Sequence, residues 1–499
     1  MTKLWLDDET FSPEPITNGT HKYAEGVEIL LRALALDDGP VVVFDLTPGG
    51  DVWELRGDDI VPADPFDVAD LEAALDDPTV EVWAHNSHFD RTVERHAGLG
   101  IPLSRWRDTM IQAMAHSLPG KLDTLCKVLG MPTDKAKDKA GKGLIQLFCK
   151  PVAFRFPKAE KFREQGPNES KKDYAAAKRE ALAAYKAAKA QAESEWPGRA
   201  TRESHPAEWR QFILYAGQDI VAMREAHRIM PKWNYPNNVK ELNLWRQDQR
   251  INDRGVAIDL ALASAAVRAV DLAQVELRER TVDITNGEVE SATKRDALLV
   301  HVLAEYGVDL PDMQKATLER RIDDPDLPEG LRELLRIRLQ ASTSSTSKYK
   351  TLMRAVSSDN RLRGLLQFMG AIRTGRWAGR LWQPQNLPRP KLKQKDIDFG
   401  IQCLLADCAE LMYANVMELT SSAIRGCIIA PSGRKLTVAD LSNIEGRVLA
   451  WLAGESWKIK AFRDFDTMLN MWDEWIDGEI ISRAYREGSD PCLLLDAKG

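Results

Sequence analysis

The chain has 499 residues, 44% hydrophobic and 29% charged, enough for two to four domains with buried cores and unlike a disordered or fibrous sequence. No signal-peptide layout opens it, and no run reaches the roughly 18 uninterrupted apolar residues of a membrane span. Six cysteines without a CxxC pair and eight histidines outside any ligand spacing argue against structural zinc and for a reduced, cytoplasmic setting. The net charge of −7 is an average that hides a patch. Between Ser342 and Lys395 stand twelve Lys or Arg residues and a single acid, Asp359, a distribution suited to a phosphate backbone.

In chain order, Lys3-Leu-Trp-Leu-Asp7-Asp-Glu9-Thr10 predicts a strand that ends in acid. Alternation puts Asp7 and Glu9 on one face and Asp8 on the other. Two adjacent carboxylates repel unless a cation lies between them, so this is either a Mg²⁺ perch or a solvated strand end. Val41–Leu46 and Val80–His85 predict further strands, with a helix over Asp67–Leu75 between them. The second leads into His85-Asn86-Ser-His-Phe89-Asp90, where an acid again ends a strand and a helix can begin. Helical patterns continue at Thr109–His116 and Lys121–Leu129, the latter closed by Gly130. The alternation argues for an α/β layered domain.

From Lys158 to about Glu195 the sequence turns to Ala, Lys and Glu, and Asp173–Ala192 predicts a solvated helix inserted into that domain. Glu208 to Arg224 predicts one long helix on which Tyr215 and Asp219, at i and i+4, share a face. Pro231–Pro236 reads as a connector. Beyond it Glu241–Arg254, Leu260–Asn286, Ser291–Tyr306 and Leu331–Leu339 predict a helix-rich second half, with a break at Gly255 and a short strand after it. Ser342–Lys350 is a hydroxyl-rich run whose lysines, Lys348 among them, either bind backbone phosphates or belong to a flexible loop. Leu436–Asp440 predicts a short strand tipped by a carboxylate. Ile444–Ala453 predicts a helix with Ile444, Val448, Leu449 and Leu452 on one face.

Three ordered stretches, Asp7-x-Glu9, Asn86-x-x-Phe89-Asp90 and Tyr215-x-x-x-Asp219, resemble motifs Exo I, II and III of the DEDDy 3′–5′ proofreading exonucleases, whose fold is ribonuclease H-like. The resemblance implies that Asp7, Glu9, Asp90 and Asp219 hold two Mg²⁺ ions, with Mn²⁺ as the alternative. One ion would activate water and the other would stabilise the leaving 3′ oxygen. Tyr215 would orient the water. Asn86 and Phe89 would position the motif or the terminal nucleotide, and the role of Asp108 stays open.

Thr374-Gly-Arg376 followed by Gln385-Asn386-Leu-Pro, then Asp440-Leu-Ser-Asn-Ile-Glu445-Gly-Arg447, resembles family A (polymerase I-type) DNA polymerases, the latter phrase being their motif A. The implied roles are primer–template contact for Arg376, Gln385 and Asn386, metal binding for Asp440, a steric gate against the ribose 2′-OH for Glu445, and helix anchoring for Arg447. The expected organisation is an α/β exonuclease domain over 1–230 with the charged insertion at about 158–200. A helix-rich thumb and start of palm follow over 231–435, then a partial palm over 436–467 and a divergent tail over 468–499. The tail carries neither the fingers motif B nor the His-Asp-Glu of motif C. A reading frame interrupted near Thr467 by an intron, intein, frameshift or split gene is therefore expected, and so is the absence of a 5′-nuclease domain.

The leading expectation is a phage replication polymerase (a nucleotidyltransferase) in a bacterial host, with proofreading intact. Nucleotide addition is expected only if a complementary fragment or splicing completes the palm. The partners would be primer–template and a single-stranded 3′ end. The alternatives are a stand-alone Mg²⁺-dependent exonuclease with a DNA-binding C-terminal half, and an inert DNA-binding remnant.

Overall fold

The computed structural model describes residues 2–131, 141–151, 163, 170–194, 198–342, 345–438 and 441–475. Seven strands form a mixed sheet: β1 Lys3–Phe11, β2 Glu28–Leu36, β3 Val41–Asp45, β4 Val52–Arg56, β5 Asp59–Pro62, β6 Glu81–Ala84 and β7 Trp106–Asp108. Their order is β5-β4-β3-β2-β1-β6-β7. β1 to β5 pair as successive antiparallel neighbours, whereas β6 and β7 run parallel to β1. The helices around it are α1 Thr20–Ala24, α2 Pro65–Asp76, α3 Ser87–His96, α4 Thr109–Ala115, α5 Leu122–Val128, α6 Gly141–Phe148, α7 Lys171–Ser194 and α8 Pro206–Ile229.

Both faces of the sheet are covered, which is why β2 reads as a nearly unbroken apolar run. On one face Trp5, Leu31, Ala33 and Val43 pack against Trp209, Phe212, Tyr215 and Ala216 of α8. Gly217 lets α8 lie close, since a Cβ there would stand 3.3 Å from Val43. On the other face Leu4, Leu6, Leu34 and Val42 meet Leu71, Trp106, Ile111 and Trp245. The period-2 register of β1 therefore decides which acids see α8: Asp7 and Glu9 follow Trp5, whereas Asp8 follows Leu4 and Leu6.

Beyond the sheet come α9 Val239–Arg254, β8 Val256–Ile258, α10 Leu260–Ile284, α11 Arg295–Tyr306, α12 Lys315–Ile322, α13 Glu329–Ala341, α14 Ser345–Ala355, β9 Arg361–Leu362, β10 Leu366–Ala371, β11 Arg376–Gly379, α15 Gln394–Leu405, α16 Ala409–Met412, α17 Val416–Ala423 and β12 Ile428–Ile429. α10, α14, α15 and α17 enclose one core, with Tyr349, Leu352 and Trp382 fully buried in it. A satellite core holds α11 to α13 together around Leu298, Leu318 and Leu334. β10 and β11 form a hairpin.

Met1–Pro431 form one compact unit and Ser432–Gly499 a second. The connector after residue 230 lies inside the first, with Tyr235 fully buried and its hydroxyl accepting from the Asp108 N–H at 2.8 Å. In the second unit α18 Ile444–Leu452 and α19 Ser456–Trp475 are joined by Arg447, whose guanidinium grips Asp466 at 2.7 and 2.8 Å and lies over the Phe462 ring. No helix among the described residues is long and apolar enough to cross a membrane.

Four expectations change. β1 does not end at its acids but carries them in its body, with a register shift between Glu9 and Thr10. Asp90 does not tip a strand; it lies in the first turn of α3. The flexible-loop reading of Ser342–Lys350 gives way over Ser345–Ala355 to α14, held by buried Tyr349 and Leu352. Residues 436–438 form no strand, and Val438 is 92% exposed with no ladder partner. Asp440 and the residues after Trp475 lie outside the described set, as does most of 152–169 at the start of the charged insertion.

Candidate metal centre

The carboxylates of Asp7, Glu9 and Asp219 converge, with one oxygen of each within 4.8 Å of the others. β1 supplies the first two from its α8-facing side. α8 supplies the third, and the packing of Phe212, Ala216 and Ile220 against the sheet fixes the approach. Glu9 and Asp219 are 8% and 3% exposed, so water does little to relieve their mutual repulsion. An all-oxygen, acidic and largely buried donor set suits a hard divalent cation such as Mg²⁺ or Mn²⁺.

Asp90 stands beside this cluster, outside the three converging oxygens. Its carboxylate accepts from the Asp8 N–H at 3.4 Å. Burial pushes its pKa well above the carboxylate range, and the neighbouring charges of Asp7 and Asp8 push it further. A cation among these acids would reverse that pressure. On the far face of β1, Arg32 bridges Asp8 at 3.3 Å and Glu94 at 2.5 Å, fixing α3 against the sheet behind Asp90.

Tyr215 lies one helical turn before Asp219 and is 3% exposed. Gly141, at the start of α6, sits directly on its ring: a Cβ at that position would fall 2.0 Å from Cε2. Asn86 adopts the left-handed conformation, φ 70°, at the entrance to α3. Phe89 is half-buried, its ring 5.8 Å from that of Tyr23.

Asp108 has a role that the sequence left open. Its carboxylate accepts from the N–H groups of Asn86 and Ser87, from Ser87 Oγ, and from the N–H groups of Met110 and Ile111. It therefore caps α4 and holds the Asn86 turn in shape. Burial pushes its pKa to about 6 despite those donors. An Asp-Thr pair between a strand and a helix is an N-cap signal that was readable in advance. Cys149, whose thiol lies 3.7 Å from Glu9 Oε2, gave no such signal.

The polymerase-type residues are distributed differently. Arg376 is exposed on β11. Gln385 packs over Gly379, where a Cβ would fall 1.8 Å from its Nε2, and Asn386 donates to Gln383 Oε1 at 3.0 Å. Lys348 donates to the Trp382 carbonyl at 2.8 Å, so its ammonium braces the loop after β11. Glu445 is exposed in the first turn of α18, and Arg447 anchors α18 to α19. On α18 Val448, Leu449 and Leu452 are 45%, 66% and 69% exposed, so the expected apolar face is there and is not covered by the described residues.

No family model matches the chain. It is similar to a DNA polymerase of Bacillus phage SP02, with 33% identity over 472 residues, which is 93% of this chain and 63% of that protein. The chain thus spans less than two thirds of the relative's length. Among solved structures it is compared with the POL domain of Pol1 from M. smegmatis in complex with DNA primer-template and dNTP. The TM-score is 0.46 and the identity 13%, over 93% of this chain and 61% of that one.

Proposed function

We propose that this chain is the 3′–5′ exonuclease and primer–template-binding part of a phage DNA polymerase of family A, with a ribonuclease H-like nuclease domain. The observation that carries the nuclease reading is the convergence of Asp7, Glu9 and Asp219 within 4.8 Å on a central strand and the helix packed on it, with Asp90 adjacent. The similarity to a phage DNA polymerase supports a DNA substrate. In this reading Asp7, Glu9, Asp90 and Asp219 hold Mg²⁺, which when bound supplies positive charge for activating water and for the leaving 3′ oxygen. Tyr215, pinned by Gly141, orients the water. Asn86, held in its turn by Asp108, and Phe89 receive the terminal nucleotide. Arg376, Gln385 and Asn386 grip the primer–template. Arg447 supports α18, on which Glu445 is the residue facing an incoming sugar.

The residues His-Asp-Glu do not occur in the sequence after Asp440. Nucleotide addition is accordingly not expected of these 499 residues by themselves. A labelled primer–template with a 3′ mismatch, given Mg²⁺ with and without dNTPs, tests the proposal. Shortening in both conditions, abolished by Asp7→Ala, is expected. Extension by the 499 residues alone would refute the expectation on nucleotide addition, and neither activity would refute the nuclease reading.

A further inference from the structure

α7 runs for 24 residues, about 36 Å, in the segment inserted between α6 and α8. None of its residues whose side chains are described is buried, so packing does not account for its sequence. Its charges are sorted by side. At 3.6 residues per turn Lys178, Arg179, Lys186 and Lys189, all exposed, fall within an arc of about 100°. Asp173 and Glu180 fall on the opposite side. Glu193, in the last turn, lies inside the arc and stands four residues after Lys189. Lys178, Arg179 and Lys186 have no acid three or four residues away, so ion pairing along the helix does not answer their charge. Lys186 and Lys189, three residues apart, repel each other. A helix stabilised by its own ion pairs would mix the two signs on one face; α7 instead carries a cationic row about 16 Å long.

Charge complementarity names the occupant. The chain as a whole carries −7, so this row is a local exception that draws a polyanion. Double-stranded DNA presents one negative charge per roughly 1.7 Å of its axis, in a stiff array that a straight helix can follow. Single-strand binders set exposed rings among their cations to stack on bases. The rings of α7, Tyr174 and Tyr185, are half-buried and stand outside the arc. A membrane-surface helix has a broad apolar face opposite its cations; here that side carries alanines, Asp173 and Glu180.

We infer that α7 is a duplex-binding arm whose cationic row lies along the phosphates of double-stranded DNA. The inference rests on the DNA-substrate reading and not on the metal chemistry. Both ends of the inserted segment leave from walls of the metal centre: Cys149, just past α6, lies 3.7 Å from Glu9 Oε2, and α8 carries Asp219. An arm tethered there keeps a bound duplex at high local concentration around the acids.

The test is the affinity for a labelled blunt duplex across a salt series, measured by fluorescence anisotropy without divalent metal. The triple variant Lys178→Gln, Arg179→Gln, Lys186→Gln should flatten the slope of log K against log salt by about 2.7, the loss of three phosphate contacts. A matched triple, Ala184→Glu, Ala187→Glu, Gln191→Glu, changes the net charge equally on the opposite side and should keep the wild-type slope. All six positions are exposed, so neither set disturbs a core. Equal flattening by both sets would assign the effect to overall charge and overturn the inference. A wild-type slope in the first set overturns it too, and leaves the DNA reading standing. The same flattening on a single strand, or loss of binding to anionic phospholipid vesicles in place of the duplex, would assign the row to another partner and overturn it. A wild-type protein that binds neither duplex nor single strand refutes the DNA-substrate reading itself.

Discussion

Single side chains carry the sharpest expectations. Asp219→Asn should reduce 3′ shortening on the order of 10³-fold. It should leave the melting temperature unchanged or raised when no metal is present, because it relieves the repulsion from Asp7 and Glu9. Gly141→Ala poses a conflict of signs. Alanine favours a helix by about 1 kcal/mol over glycine, yet its Cβ would fall 2.0 Å from the Tyr215 ring. The clash is the larger effect, so the variant should lose most of its shortening activity while still binding single strands; higher stability with full activity would show that the ring is free to move. Asp248 offers a pH test. Burial pushes its carboxyl to about 7, against hydrogen bonds from Trp377, Gln249 and Asn252. The folded state therefore keeps a proton that the unfolded state gives up near pH 4. Stability from this group is fully present below that pH and is lost as pH rises to about 7, by on the order of 4 kcal/mol. Denaturant midpoints should fall across that window in the wild type, and the part due to Asp248 should be missing in Asp248→Asn.

Elements show which patterns the sequence discloses. β1 and α8 were legible because alternation and i,i+4 spacing are local: Asp7 with Glu9, and Tyr215 with Asp219, share faces whatever the rest of the chain does. That the two faces meet needed the tertiary packing of Phe212 and Ala216 on β1–β3. β2, β4 and β5 went unread, since pairing partners and not composition make them strands. The β10–β11 hairpin was hidden by Gly370, Gly375 and Gly379. The joint between α3 and α9 was also invisible, its partners being some 160 residues apart. There Arg91 holds Asp253 with two bonds of 2.7 Å and Gln249 with one of 3.0 Å, while His88 meets Gln249 at 3.1 Å. Breaking a buried pair from one side leaves an uncompensated charge. Asp253→Ala should cost about 3 kcal/mol in chemical denaturation, and a loss below ~0.5 kcal/mol would show that the joint is solvated.

For the whole molecule, the basic stretch overstates the charge available to DNA. Of its twelve cations, Lys348 serves the Trp382 carbonyl, Arg361 the Arg254 and Gly255 carbonyls, and Arg363 the Asp359 carboxylate. The other nine are exposed, Arg376, Arg380 and Arg389 among them. The dependence of log K on log salt for a primer–template should therefore lose about 0.9 in slope in Arg376→Ala, and nothing in Lys348→Ala apart from any loss of fold. A Lys348 effect equal to that of Arg376 would mean that the brace opens on binding. The most direct measurement of the central claim is single-turnover release of a labelled 3′ nucleotide as Mg²⁺ is raised, for the wild type and for Asp219→Asn. The account predicts saturable, metal-dependent release by the wild type and essentially none by the variant. Equal release from both, or release unaffected by Mg²⁺, would contradict it.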